Sequence, residues 1–240
     1  MLILGIDTSG RQGSVALLRA HTEPQPEGDP LRTLEVVSLE GGQYSELLVP
    51  TIAGLLERQG AKRSEIDLIA VASGPGSFTG LRIAIATVKG LAEAFSTPVV
   101  TVSVLEAIAL SSLAKGKVLA ALDAQRSEVF SGEYLVNRQD PDPAQMIRES
   151  IASFEGFTAV LAAENVQKVF TPDETIAARL AEIGIESRML ARPNAEAYAC
   201  IAYQKFCSGI RADVATLDAN YLRRSDAEIF SAPKLGVGPA

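Results

Sequence analysis

The stretch SGPGSFTGLRIAIATVKGLAEAF, Ser73 to Phe95, passes from a loop of three glycines and a proline straight into a helix that is apolar almost all round. From Leu81 to Phe95 its polar groups are Arg82, Thr87, Lys89 and Glu93, and Arg82, Lys89 and Glu93 share one narrow stripe. A surface helix needs one apolar face; one that is apolar nearly all round is buried on two sides. One side must lie on a sheet, and the other needs a second helix, a second chain, or both. The neighbour predicted is a helix over Tyr44–Gln59, with Tyr44, Leu47, Leu48, Ile52, Leu55 and Leu56 at helical spacing. Two such helices side by side make an apolar platform of the kind that marks interaction sites. The platform residues are read as Leu47, Leu48, Ile52, Leu55, Leu81, Ile85 and Val88, with Arg82 at the polar edge. Periodicity does not say which apolar side meets the sheet.

The loop does not fit the standard phosphate motifs. A Walker A loop requires a lysine after its last glycine, but Leu81 and Arg82 follow Gly80. A dinucleotide loop requires G-x-G-x-x-G and an acid closing the next strand; here the spacing is G-x-G-x-x-x-G and PVVTVS ends without one. The simpler expectation is a tight strand-to-helix turn. Gly74 and Gly76 take backbone angles other residues avoid, and Ser77 or Thr79 caps the helix. A helix N-terminus still attracts anions, so Asp7, Ser9, Gly76, Ser77 and Thr79 are the candidate nucleotide or anion contacts.

Strands are predicted at Leu2–Ile6, SVALL, RTLEVVSLE, IDLIAVASG and PVVTVS, with a loop over 21–30. Ser45 is the expected N-cap of the Tyr44 helix, and Pro50 is expected to loosen its first turn. Then the plan of the N-terminus returns. KVLAALDAQRSEVFSGEYL again reads strand, Asp, short polar tip, strand, and Asp7 and Asp123 lie 116 residues apart, about half the chain. This predicts a duplicated two-lobe α/β architecture: 1–103 carrying the platform helices, 104–223 including a long last helix from Asn194, and a tail over 224–240. Within the second lobe, a helix is expected over 144–154, a strand over 158–163 and a helix over 174–182. Asp7 and Asp123 have two readings, a cation site for nucleotide phosphates or Asx-turns onto the backbone two residues on.

Composition narrows the function. The 240 residues carry a net charge of −7, a poor match to nucleic acid, whose binding needs cations. Charged residues are 21%, which is low and hints at surface hidden against a partner. Cys200 and Cys207, if helical, are separated by roughly 10 Å, too far for a disulfide, and are read as small buried groups. The one histidine, His21, sits in the proline-rich loop, so histidine-pair zinc sites are excluded and a Ser-His-Asp triad is improbable. A carboxylate-only Mg2+ site stays open. No signal peptide or apolar run of membrane-spanning length is seen, and a soluble cytoplasmic protein is expected.

ILGIDTS, SELLVPTIAGLL, ASGPGSFTGLRIAIATVKGLA, VVTVSVLEAIA, ALDAQRSEVF and YLRR resemble, in order and spacing, the TsaB (YeaZ) family, well over residues 2–134 and again near Tyr221. The resemblance implies the two-lobed fold of the actin, sugar-kinase and Hsp70 ATPases, with duplicated mixed sheets flanked by helices. It implies a non-catalytic subunit in forming threonylcarbamoyladenosine in tRNA, next to the anticodon. The partners implied are a TsaD-type catalytic subunit, which holds a metal through two histidines, and a TsaE-type ATPase. The partner contact resembles a four-helix bundle built from the two platform helices, and the same face makes a homodimer when the chain is alone. tRNA is then met only through the complex. No cofactor is implied for this chain by itself, with ATP and Mg2+ admitted at a partner interface. Three departures stand out: Tyr44 where the family has His, Ala219 and Asn220 where a Pro precedes Y-L-R, and Gln125, Arg126 and Ser127 for R-M-G. The alternative from the same fold is an active ATPase or kinase using Asp7 and Mg2+. A peptidase, suggested by an old family label, has no nucleophile–base pair in the sequence.

Overall fold

The computed structural model describes residues 1–21, 30–140, 142–220 and 222. Two five-stranded mixed sheets are each built on one plan. The first contains β1 (Leu2–Asp7), β2 (Gln12–Ala20), β3 (Leu31–Glu40), β4 (Leu68–Gly74) and β5 (Val99–Ser103), in the order β3-β2-β1-β4-β5. The second contains β6 (Gly116–Asp123), β7 (Glu128–Val136), β8 (Ala144–Ser153), β9 (Lys168–Thr171) and β10 (Glu186–Met189), in the order β10-β9-β6-β7-β8. Reversed, that order matches the first sheet strand for strand. In both, three strands run as an antiparallel meander and two more join in parallel. The duplication expected from Asp7 and Asp123 is therefore real.

The helices are α1 (Tyr44–Arg58), α2 (Phe78–Phe95), α3 (Val104–Ser111), α4 (Phe154–Ala163), α5 (Glu174–Glu182) and α6 (Ala195–Cys207). Side-chain alternation along β1 sorts the layers. Leu2, Leu4 and Ile6 face α1 and α2, whereas Ile3 joins the inner core of α3, α6 and the second sheet's Val118, Ala120 and Leu122. The second sheet's other face covers Phe154, Phe157 and Leu161 of α4 and Ile176 and Leu180 of α5.

Several expectations change. Residues 144–153 form β8, an edge strand, not a helix; Ala144, Ile147 and Ile151 imitate helical spacing, but pairing with β7 decides the conformation. Residues 158–163 belong to α4, whose Ser153 N-cap accepts a hydrogen bond from Gly156 N and whose buried Phe154, Phe157 and Leu161 recur at helical spacing. α1 starts after Gln43 with no side-chain cap, so Ser45 lies inside the helix, and the helix continues through Pro50. α6, expected within the second lobe, lies on β1, β2, β4 and β5 of the first. Its approach is close enough that a Cβ on Gly5 would stand 2.3 Å from Ala195 O, and Ala195 N donates to Ser14 Oγ at 2.8 Å. Cys200 is half-buried and Cys207 exposed, neither in a disulfide, so the second is not a core group. The loop over 22–29 and the 223–240 segment lie outside the described residues.

The β6–β7 tip is strained. Gln125, Arg126 and Ser127 have φ of 63°, 53° and 62°, a run of left-handed residues without a glycine. Left-handed backbone costs a non-glycine about 1–2 kcal/mol, against roughly 0.5–1 kcal/mol of extra chain entropy lost by glycine. Ser127→Gly is thus expected to stabilise the chain by about 0.5–1 kcal/mol, a rise of about 1–4 °C in Tm by thermal denaturation. A lower Tm would contradict the strain.

Candidate functional site

Two surfaces bring the sequence-derived residues together: a cleft between the sheets and the outer face of α1 and α2. The cleft, about 1320 Å3, is bordered by the β1–β2 tip, the loop before α2 and the β6–β7 tip.

The glycine loop packs on the β1–β2 tip. Ser77 N donates to Ser9 O at 2.7 Å, and Thr8 Oγ1 donates to Gly80 O at 2.7 Å. A Cβ on Gly76 would stand 2.2 Å from Ser9 O, and one on Gly80 2.0 Å from Thr8 O. Gly76 is thus required by close approach and not by its backbone angle; only Gly74, at φ 110°, needs the left-handed region. Ser77 caps α2, accepting from Gly80 N at 3.2 Å. Tyr44 OH donates to Gly10 O at 2.9 Å and so clamps the same tip.

Asp7 is 2% exposed and lies beneath this tip. Burial raises its carboxyl pKa, opposed by Ser9 and by the charge of Arg192. Its Oδ1 accepts from Ser9 N at 2.8 Å, and Asp123 Oδ1 accepts from Gln125 N at 2.8 Å. Both acids therefore make the Asx-turn, the simpler of their two readings. Ser9, Gly76, Ser77 and Thr79 line the cleft. Sequence reading gave no site role to Arg11, Arg126 or Arg192, which line it too; isolated arginines in loops carry no periodic signal.

Asn220 joins the two lobes beside this loop. Its N–H donates to Ser73 O at 2.7 Å, and its side-chain amide to Glu149 Oε2 at 2.5 Å. Proline at that position could not make the first bond. Glu149 Oε1 accepts in turn from Tyr134 OH and Ser103 Oγ.

The platform needs correction. Leu48, Ile52, Leu55, Leu81, Ile85 and Val88 are at most 6% exposed and form the core beneath the helices. Leu47 is half-buried, and Arg82 is exposed, stacked on the Phe78 ring at 3.7 Å. α2 is covered on the side that meets β4 and α1. Elsewhere on α2, Ala86 and Gly90 are exposed and Ile83, Thr87 and Leu91 half-buried, and on α1 Val49 is exposed and Ala53 half-buried.

A family model described as TsaD, tRNA N6-adenosine threonylcarbamoyltransferase, matches residues 40–229. The chain belongs to this family. Among curated relatives, it is 34% identical over 142 residues to the tRNA threonylcarbamoyladenosine biosynthesis protein TsaB of Escherichia coli (56% of this chain, 55% of that protein). It is 31% identical over 155 residues to the protein of the same name from Bacillus subtilis (62% and 64%). These matches thus span little more than half to under two thirds of the relatives' length. The structure of YeaZ from Pseudomonas aeruginosa superposes with a TM-score of 0.71 at 28% identity, over 92% of this chain and 99% of that one. The resemblance to TsaB and YeaZ, and the two-lobed fold it implied, are borne out. Among the described residues of this TsaD-family chain, no helix is long and apolar enough to cross a membrane.

Proposed function

We propose that the chain is a non-catalytic subunit of the machinery that forms threonylcarbamoyladenosine in tRNA, and that it docks a TsaD-type catalytic subunit with the outer face of α1 and α2. The observation that carries this reading is α2 itself: a helix apolar nearly all round, with one apolar side covered by its own chain and the other open. The names of the relatives from E. coli and B. subtilis supply the pathway. Small residues, Ala53, Ala86 and Gly90, let a partner helix approach closely, in the manner of helix pairs. The net charge of −7 leaves tRNA to be gripped by other subunits. In this reading a TsaE-type ATPase joins the assembly in the cytoplasm, the free chain pairs with itself through the same face, and any ATP and Mg2+ sit at a partner interface. The rival ATPase reading is weakened by Asp7, whose carboxylate is buried and already bonded to Ser9 N.

Size-exclusion chromatography with light scattering, with and without the TsaD counterpart, tests it. Ala86→Glu and Val49→Glu are expected to leave the circular dichroism unchanged and weaken the mixed complex at least tenfold, about 1.4 kcal/mol. Ile85→Glu is expected to unfold the first lobe. Folded Ala86→Glu and Val49→Glu chains that bind normally would remove this face from the interface.

A further inference from the structure

We propose that the segment over 212–220 is a strap that couples the second lobe to the root of α2, so that a shift between the lobes is passed to the glycine loop and the helix it starts. The strap begins on the edge of the first sheet, where Ala212 N donates to Val99 O of β5 at 2.8 Å. Leu217 and Ala219 are buried in the core beneath α1 and α2, and Lys89 Nζ of α2 donates to Ala215 O at 3.5 Å. Up to Asn220, then, the strap is built into the first lobe.

Asn220 itself sits at a break in the first sheet. β4 and β5 pair in register from Ile69 to Ala72 and then shift, so that Gly74 meets Ser103 and Ser73 is the extra residue. An extra residue is left out of the ladder, and Ser73 O accepts instead from Asn220 N at 2.7 Å. Gly74 follows at φ 110°, where a Cβ would stand 3.0 Å from both Asn220 O and Leu81 Cδ1. Asn220 is thus wedged where the chain turns towards α2.

From there its side chain crosses to the second lobe. Asn220 Nδ2 donates to Glu149 Oε2 of β8 at 2.5 Å. Glu149 Oε1 accepts from Tyr134 OH of β7 and from Ser103 Oγ, which closes β5 and caps α3. Burial, and then the negative charge of Glu149, holds the Tyr134 hydroxyl far above its usual pKa, so it stays a donor. One carboxylate therefore gathers donors from both sheets and from the strap, and such charge-assisted bonds are about twice as strong as neutral ones. Coupling between sites is carried by contiguous hydrogen bonds and rigid elements. Here the path runs from β8 through Glu149 and Asn220 to Ser73 and α2. The coupling is independent of the partner-subunit reading, since it is read in the free chain.

NMR of the full chain tests it at the amides of Ser77 and Leu81, which donate to Ser9 O and Ser77 O in the turn that starts α2. Glu149→Gln, in the second lobe, is expected to move both resonances. In an Asn220→Ala background the same substitution is expected to leave them in place, as coupling through one bond requires. Glu164→Gln removes the same charge from the second lobe, where Glu164 is exposed and pairs with Arg148 and Lys117. It is expected to leave both resonances in place in either background. Thermal melts supply the reciprocal check. Asn220→Asp sets two carboxylates against each other and should lower Tm; adding Glu149→Gln restores an amide–carboxylate pair and should recover most of the loss. Unmoved resonances with Glu149→Gln, equal movement in both backgrounds, equal movement with Glu164→Gln, or no recovery in the reciprocal pair would each overturn the coupling.

Discussion

Gly80→Ala is expected to destabilise the chain by about 3 kcal/mol, lowering Tm by about 6–12 °C. The new methyl would stand 2.0 Å from Thr8 O, a backbone atom just past the end of β1 that cannot swing aside as a side-chain end could. The same contact zone carries the Thr8 Oγ1 to Gly80 O bond, so displacing the tip loses a buried hydrogen bond as well. Gly90→Ala, in the same helix, is the matched control. Nothing lies within 4 Å of a Cβ there, and the change should stabilise the chain by about 0.5–1 kcal/mol through helix propensity alone. Thermal melts of the two variants check the interlock; a Gly80→Ala chain melting within a degree or two of the parent would refute it.

Lys205→Met is expected to cost about 3–5 kcal/mol at pH 7, the usual penalty for orphaning a buried charge. Lys205 Nζ, on α6, bonds both oxygens of Glu106 on α3 at 2.7 and 2.9 Å, with Glu106 only 6% exposed. Burial raises the Glu106 pKa, and Lys205 is the main influence pulling it back. Without the lysine the folded-state pKa rises further above the unfolded value. The deficit is therefore full above that raised pKa and shrinks as pH falls through it, when the carboxyl takes up its proton. Chemical denaturation at pH 5 and pH 8 should show the smaller deficit at pH 5. Adding Glu106→Gln should recover much of the loss; strictly additive losses in the double variant would show that the two side chains do not act as a pair.

How much was legible differs from element to element. β1, β4 and β5 were plain because each is a continuous apolar run in a sheet covered on both faces. β8 and α4 were exchanged because an edge strand with little buried surface leaves no alternating pattern, while TAVLAA is equally apolar in either conformation. β9 and β10, four residues each, are too short to announce themselves. At the functional surfaces, the importance of GPGSFTG was visible, but not that its glycines meet the carbonyls of Thr8 and Ser9 some seventy residues earlier.

The sequence by itself determined the duplicated strand–Asp–turn plan, the nearly all-apolar helix and the want of positive charge, since each is written in local residue order and composition. Only the tertiary structure decided which side of α2 is buried, that α6 returns to the first sheet, and that four distant arginines line one cleft. A helix with apolar groups on two sides presents two near-equivalent faces, and periodicity weighs them alike. The choice falls to the sheet and helix that reach one face first in space, and local order does not carry that information.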